Sequence, residues 1–297
     1  MSAGRTSAPT PAASPKPPRV PGGRKVVLGT CSVYFRVEKP RAAETPVVVE
    51  VPHAGITFDA ESLALCAAPA RSIGRDADLF VDELFADAPD VGATLLYGRA
   101  SRYLVDLNRA ADDLDSHTTP GGKSEGSPHG VIWRRTTEGR PALAGPLPQT
   151  EIERRLDLVY HPYHRALTEL LADKRERFGF VILLCGHSMP SFGRLGDRRA
   201  DVVPGSRGRT TAAASVIDAS DRVAHEFAFE VAHDTPYRGG FSTEHYGQPS
   251  EGQHALQIEL ARRLYMDETS LRRNTQAFAR CQSFCRALVA ELGTIRP

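Results

Sequence analysis

The chain has 297 residues, with 37 Lys and Arg against 36 Asp and Glu and five scattered cysteines, Cys31, Cys66, Cys185, Cys281 and Cys285. So even a charge balance argues against a dedicated nucleic-acid surface, which carries a basic excess. The odd cysteine count argues against a disulfide framework and points to a reducing compartment, the cytoplasm, and no apolar run approaches the roughly 20 residues that a bilayer span needs.

Residues 1–24 are rich in Pro, Ala, Ser and Gly. Such a composition buries too little surface to offset ordering entropy, so a disordered tail is expected there. It lacks the apolar centre of a secretory signal. The folded domain is expected over 25–297. Lys25–Val37 reads as one or two strands, and Pro46–Val51 as a buried strand with His53 just after it. Leu79, Phe80, Leu84 and Phe85 recur at a spacing that predicts a helix over Asp76–Phe85. Ala93–Tyr97 and Tyr103–Leu107 read as strands, and Asp112–Pro148 as a long loop rich in Gly, Ser and Pro. Thr150 followed by Glu153 has the form of a capping box opening a long helix to about Arg177. Phe178–Cys185 is a strand leading to His187, Met189–Thr210 a Gly- and Arg-rich loop, and Ala212–Val231 a helix. His254–Leu260 is a strand, and Glu268–Leu292 an amphipathic helix with Cys281 and Cys285 as small apolar residues on one face. Strands alternating with helices predict a single α/β domain whose sheet is mixed, mostly parallel and flanked by helices.

Ligands of an open α/β sheet gather beyond the carboxyl ends of its strands. His53 and His187 are delivered there from distant parts of the chain, beside the small residues Gly55 and Gly186. Two such imidazoles can share a zinc ion, whose catalytic sites take three protein ligands and keep a position for water. The segment GRDADLF offers Asp76 or Asp78 as the third. A lone histidine, however, is more often a satisfied polar group than a ligand. In SRYLVDLNRA, Arg102, Asp106, Asn108 and Arg109 gather at a strand end. The guanidinium fork suits a carboxylate or a developing oxyanion, and Asp106 also reads as half of a structural ion pair.

In GQHALQIELARRLYM, Gln257 and Glu259 share one strand face, His254 and Ile258 the other. A glutamate in so apolar a strand is costly to bury unpaired. General base, metal ligand and partner of a buried arginine all remain open for Glu259. The glycines of YRGGFSTEHYGQ permit a tight backbone course near a ligand, which makes Arg238 and Tyr246 candidate substrate contacts or else plain surface. His161 and His164 suit a metal or helix packing, and GSRGR at 205–209 an anion or solvent.

Taken in order, VPHAG, SRYLVDLNR, HPYH, CGHS, RGG, HYG and HALQIELARRLYM resemble the N-formylglutamate amidohydrolase (N-formylglutamate deformylase) family, from about Val47 to Glu268. DLNR is also similar to an element of aspartoacylases and, more distantly, of zinc carboxypeptidases. The resemblance implies a zinc-carboxypeptidase-like (phosphorylase/hydrolase-like) fold and one Zn²⁺ per chain on His53, Asp78 and His187, with Asp76 in reserve. It implies Glu259 as the carboxylate that activates water and Arg109 at the polarised carbonyl. Arg102, Asn108, Arg238, Tyr246 and Gln257 would contact substrate. The reaction implied is cleavage of N-formyl-L-glutamate, or a related N-acyl amino acid, to formate and the free amino acid, in histidine degradation. No nucleic acid or membrane partner is implied. Two departures stand out. Cys185 replaces the acidic residue that the family commonly carries two before the second histidine, so acidic support of His187 is expected to be missing. The loop after His187 is also unusually Arg-rich. These keep open a carboxypeptidase-like or aspartoacylase-like hydrolase with another substrate, and a non-catalytic binding relative.

Overall fold

The computed structural model describes residues 32–123 and 126–297. The expected tail at 1–24, and residues 25–31 of the first expected strand, lie outside the described residues. Among the described residues six strands form one sheet: β1 Phe35–Glu38, β2 Val47–Val51, β3 Thr94–Gly98, β4 Val181–Met189, β5 Val202–Gly205 and β6 Gln253–Ala261. Their order is β1-β3-β2-β4-β6-β5. The four inner strands run parallel, and β1 and β5 close the edges antiparallel. The mixed, mostly parallel sheet expected from the sequence is therefore what forms.

Among the described residues eight α-helices accompany it: α1 Ala60–Ala64, α2 Ala70–Asp76, α3 Val81–Leu84, α4 Gln149–Arg155, α5 His161–Phe178, α6 Ala214–Glu226, α7 Phe241–Tyr246 and α8 Thr275–Thr294. Side chains alternate between the two faces of a strand, and here both faces are covered, which is why the inner strands are mostly apolar on both sides. Val47, Val49, Leu184 and Ile258 pack into one layer with residues of α6 and α8 such as Ile217, Phe284 and Leu288. Val48, Leu183 and Ala255 pack into the other with Tyr163, Leu167 and Leu171 of α5. Cys281 and Cys285 are both buried on α8. Among the described residues no helix is long and apolar enough to cross a membrane.

Several local expectations are corrected. Asp76–Phe85 is not one helix. The chain leaves α2 at Asp76, turns extended at Ala77, and re-enters helix after Phe80, whose φ is 68°. Tertiary bonds impose the break: Asp78 N donates to His53 O, and Arg262 donates to the carbonyls of Arg75 and Ala77. Tyr103–Leu107 is not a strand. Leu104 N and Val105 N both donate to Ser101 O in a turn, and the segment owes its burial to packing against residues such as Val131 and Leu147. β4 runs through His187 to Met189, because β6 continues beside it as far as Ala261. The loop expected over Met189–Thr210 contains β5. The Thr150–Glu153 capping box does not form; Pro148 precedes α4 with no side-chain cap, and a π-turn at Leu156–Tyr160 joins α4 to α5. The last helix starts after Asn274, whose side chain caps Ala277 N at 3.2 Å.

Candidate metal centre and active site

His53 follows β2, His187 and Glu259 are register partners across β4 and β6, and Asp78 sits in the break between α2 and α3. All lie at the carboxyl ends of parallel strands, where an open sheet binds its ligands. His187 Nδ1 is 3.1 Å and His53 Nδ1 3.6 Å from Asp78 Oδ2. One ligand atom from each residue falls within 4.8 Å of the other two. Tetrahedral ligands at about 2.1 Å from zinc stand about 3.4 Å apart, so the spacing fits a small divalent cation. Two imidazoles and a carboxylate also suit zinc chemically. Among the described residues this is the one such cluster, and all three members are buried.

Neighbours orient these groups. His53 Nε2 is 2.8 Å from Asp106 Oδ1. A carboxylate there favours the proton on Nε2 and turns Nδ1, which Arg102 Nη2 approaches at 2.9 Å, toward the cluster. Asp106 also accepts from Asn108 N at 2.9 Å, Trp133 Nε1 at 2.9 Å and Arg102 Nη2 at 3.2 Å. Burial pushes Asp106 up, but the charges of His53 and Arg102 outweigh it and hold the carboxyl well below its usual range. Burial likewise opposes ionised Asp78, and the hydrogen bonds of His187 and His53 overcome it. For His53 the order is burial and Arg102 downward, then Asp106 and Asp78 upward, and the net direction is up. Arg262, absent from the sequence-based candidates, reaches Asp78 Oδ1 at 3.4 Å and holds its loop. Its place in the ELARR run, just past the glutamate strand, was the available signal.

Glu259 is 6% exposed and, among the described residues, takes part in no ion pair. Gln257 Nε2 donates to its Oε1 at 2.9 Å. Burial raises it to about 7 against the pull of His187, a value suited to accepting a proton near neutrality. Asn108 places Nδ2 3.2 Å from His187 Nε2 and accepts from Ser242 N at 2.9 Å. Its amide lies flat against Gly240, where a Cβ would come within 2.3 Å of Nδ2. Cys185 pairs in register with Glu50, whose Oε1 accepts from Ser242 Oγ at 3.0 Å and Tyr163 OH at 3.1 Å. Burial pushes the Glu50 carboxyl above its usual range, and it connects to His187 only indirectly, through Ser242 and Asn108. The acidic group in direct contact with His187 is Asp78.

The cluster opens into a cavity of about 820 Å³ that Arg102, Asn108, Arg109, Arg238 and Gln257 all line. Arg109 is 43% exposed, 4.0 Å from Asp113, and Arg238 stands exposed at the mouth. Arg102 is committed inward, with Nη2 2.9 Å from His53 Nδ1 and Nη1 3.0 Å from Asp76 O. Asp76 lies outside the ligand cluster. Its carboxylate accepts from Tyr103 OH, Thr137 Oγ1 and Thr137 N. Tyr246 does not line the cavity. It is 5% exposed in the core layer under α5, its hydroxyl 3.0 Å from His164 Nδ1. Its position next to Gly247 suggested a loop, whereas α7 turns the ring inward. His164 packs there too, held neutral because burial lowers it to about 3. Of the two readings of 205–209, an anion or solvent, the loop satisfies the first internally: Ser206, Arg207 and Gly208 donate their N–H groups to Asp234.

A model of the N-formylglutamate amidohydrolase family matches residues 45–266, which span every residue of this cluster. The chain belongs to the N-formylglutamate amidohydrolase family. It is 32% identical to the N-formylglutamate deformylase of Pseudomonas aeruginosa over 239 residues, 77% of this chain and 85% of that protein. The crystal structure of N-formylglutamate amidohydrolase from Ralstonia eutropha JMP134 superposes with a TM-score of 0.81 at 32% identity, covering 88% of this chain and 97% of that one. A gene product of Agrobacterium tumefaciens, 22% identical, shares the fold with a TM-score of 0.63 over 86% of this chain and 94% of its own.

Proposed function

We propose that this member of the family is a zinc-dependent amidohydrolase that cleaves N-formyl-L-glutamate to formate and glutamate. The observation that carries the reading is the pairing of His187 with Glu259 across β4 and β6, which sets a buried carboxylate beside the His53–Asp78–His187 ligand set. Those three residues would hold the ion. When bound, it lowers the pKa of water and polarises the formyl carbonyl. Glu259 takes the proton of the attacking water and hands it to the departing amide nitrogen, so that water and formamide become formate and amine. Arg109 faces the oxygen on which negative charge develops. Arg238 at the mouth pairs with a substrate carboxylate, and Asn108 and Gln257 orient the remainder. Arg102 has a different part from the one expected of it: it positions Asp106 and His53. The free thiols Cys66, Cys185, Cys281 and Cys285 suit a reducing compartment.

The test is formate release from N-formyl-L-glutamate by zinc-loaded protein, beside N-acetyl-L-glutamate and a peptidyl amino acid. Release from the formyl substrate with about one zinc per chain is the expected result. Turnover of only the acetyl or peptidyl compound would move the chain to another hydrolase class.

A further inference from the structure

The cavity is charged in a graded way. Its floor holds the buried ligand set and Glu259, while its mouth is ringed by arginines on two separate segments. Arg71 starts α2, Arg194 and Arg199 belong to the loop between β4 and β5, and all three line the cavity. Among the described residues none of the three is in an ion pair. Each is held in place by neutral acceptors. Arg71 Nη2 donates to Thr269 O at 2.6 Å, and Arg194 Nη2 to Thr137 O at 3.4 Å. Arg199 Nη1 donates to Pro190 O at 3.1 Å, and its guanidinium lies 5.5 Å from the centre of the Tyr237 ring. Nearby Arg75, by contrast, is neutralised by Glu138 at 2.5 Å. The collar thus presents three guanidinium groups without a direct ion pair, in addition to Arg238, against one carboxylate, Glu268, in the outer lining.

A cavity of about 820 Å³ is the size that takes a drug-sized ligand, more than an N-formyl amino acid fills. The formyl group is the small end of the substrate and must reach the floor, so the amino-acid portion points outward. With Arg109 at the formyl oxygen, Arg238 matches the one carboxylate that a glutamyl residue keeps when its other carboxyl is in a peptide bond, and the collar is left for carboxylates farther out. We propose that Arg71, Arg194 and Arg199 form an outer subsite for a third carboxylate. The preferred substrates are then N-formylated glutamyl peptides whose next residue is acidic. This rests on the deformylase reading above and names its substrate class. Chemistry at the floor is unchanged: water adds to the formamide carbon, the C–N bond breaks, and the peptide leaves as the amine.

The zinc-loaded full chain is to be assayed on N-formyl-L-glutamate, N-formyl-glutamyl-glutamate and N-formyl-glutamyl-glutamine, the dipeptides in both α and γ linkage. In at least one linkage the glutamate-extended substrate should exceed its glutamine twin in kcat/KM by about fivefold, the worth of a well-placed exposed ion pair. The Arg194→Ala/Arg199→Ala double variant should erase that ratio and leave the rate on N-formyl-L-glutamate within about twofold of the parent. Equal rates for the twins in both linkages overturn the subsite. So does an equal loss on all three substrates in the double variant, which would reduce the collar to general steering of anions. Binding of the same compounds to the Glu259→Gln protein, read by calorimetry, tests the subsite without turnover. A binding preference for the glutamate twin combined with no formate release from the parent would keep the subsite and reject the deformylase reading.

Discussion

In the proposed reaction Glu259 is the residue on which the chemistry turns, and its two candidate roles separate cleanly by substitution. Glu259→Gln keeps the shape and the contact with Gln257. It should lower kcat by about 10²–10⁴-fold, the usual weight of a general base, with zinc content unchanged; a loss of metal would make it a ligand instead. Its burial also has a stability signature. The folded value of about 7 lies above the ordinary 4.5, so folding favours the protonated form. Its contribution is fully present below the ordinary value and lost as pH rises through about 7. Held metal-free by chelator, Glu259→Gln should gain more in Tm over the parent at pH 8 than at pH 5, and equal gains would show that Glu259 ionises freely. Asp106→Asn should weaken zinc about 10–100-fold through His53 while leaving the three ligands in place, which a competition titration with a chromogenic chelator reads. Much of this was legible in the chain. His53 and His187 show themselves as polar residues at the ends of apolar runs. Asp106 was seen, but spacing alone does not tell a carboxylate that ties an arginine from one that also orients a histidine. Tyr246 misled because a tyrosine beside a glycine has the same sequence whether its ring faces a cavity or a core.

Among the elements, those decided by local pattern were readable and those decided by tertiary bonds were not. β2, β3 and β6 announce themselves as β-branched or apolar runs of strand length. β5 has four residues inside an Arg- and Gly-rich stretch, and exists because β6 offers it an antiparallel partner. The break after α2 is invisible to periodicity, since Leu79, Phe80 and Leu84 keep helical spacing across it. Only the hydrogen bonds from Asp78 to the His53 carbonyl and from Arg262 to the α2 end create it. The turn into α7 is equally specific. Gly240→Ala drives a Cβ against the Asn108 amide and should displace Asn108 from His187. We expect a drop in kcat/KM of at least about tenfold, the cost of a misplaced positioning group, with the far-ultraviolet circular dichroism spectrum unchanged. Parent-like kinetics would show that the loop yields without disturbing Asn108.

For the molecule as a whole, the ligand set joins segments that are far apart in the chain: the end of β2, the α2–α3 break and the end of β4. A cation that binds only the folded arrangement stabilises it by mass action. Stripping the metal should therefore lower Tm, and adding zinc back should restore it in a concentration-dependent way. His187→Ala should abolish most of that shift, and an unchanged shift would place the cation elsewhere. The sheet order has one more effect, on the order of events at the ribosome. β4 lies between β2 and β6, so a nascent chain that has released β4 but not residues 253–261 holds a nine-residue apolar strand with one side bare. An unprotected edge of that kind invites pairing with other chains. The interval between translating residue 189 and residue 261 is thus a stretch of biosynthesis in which the chain is open to mispairing, and rare-codon pauses placed there should raise the insoluble fraction.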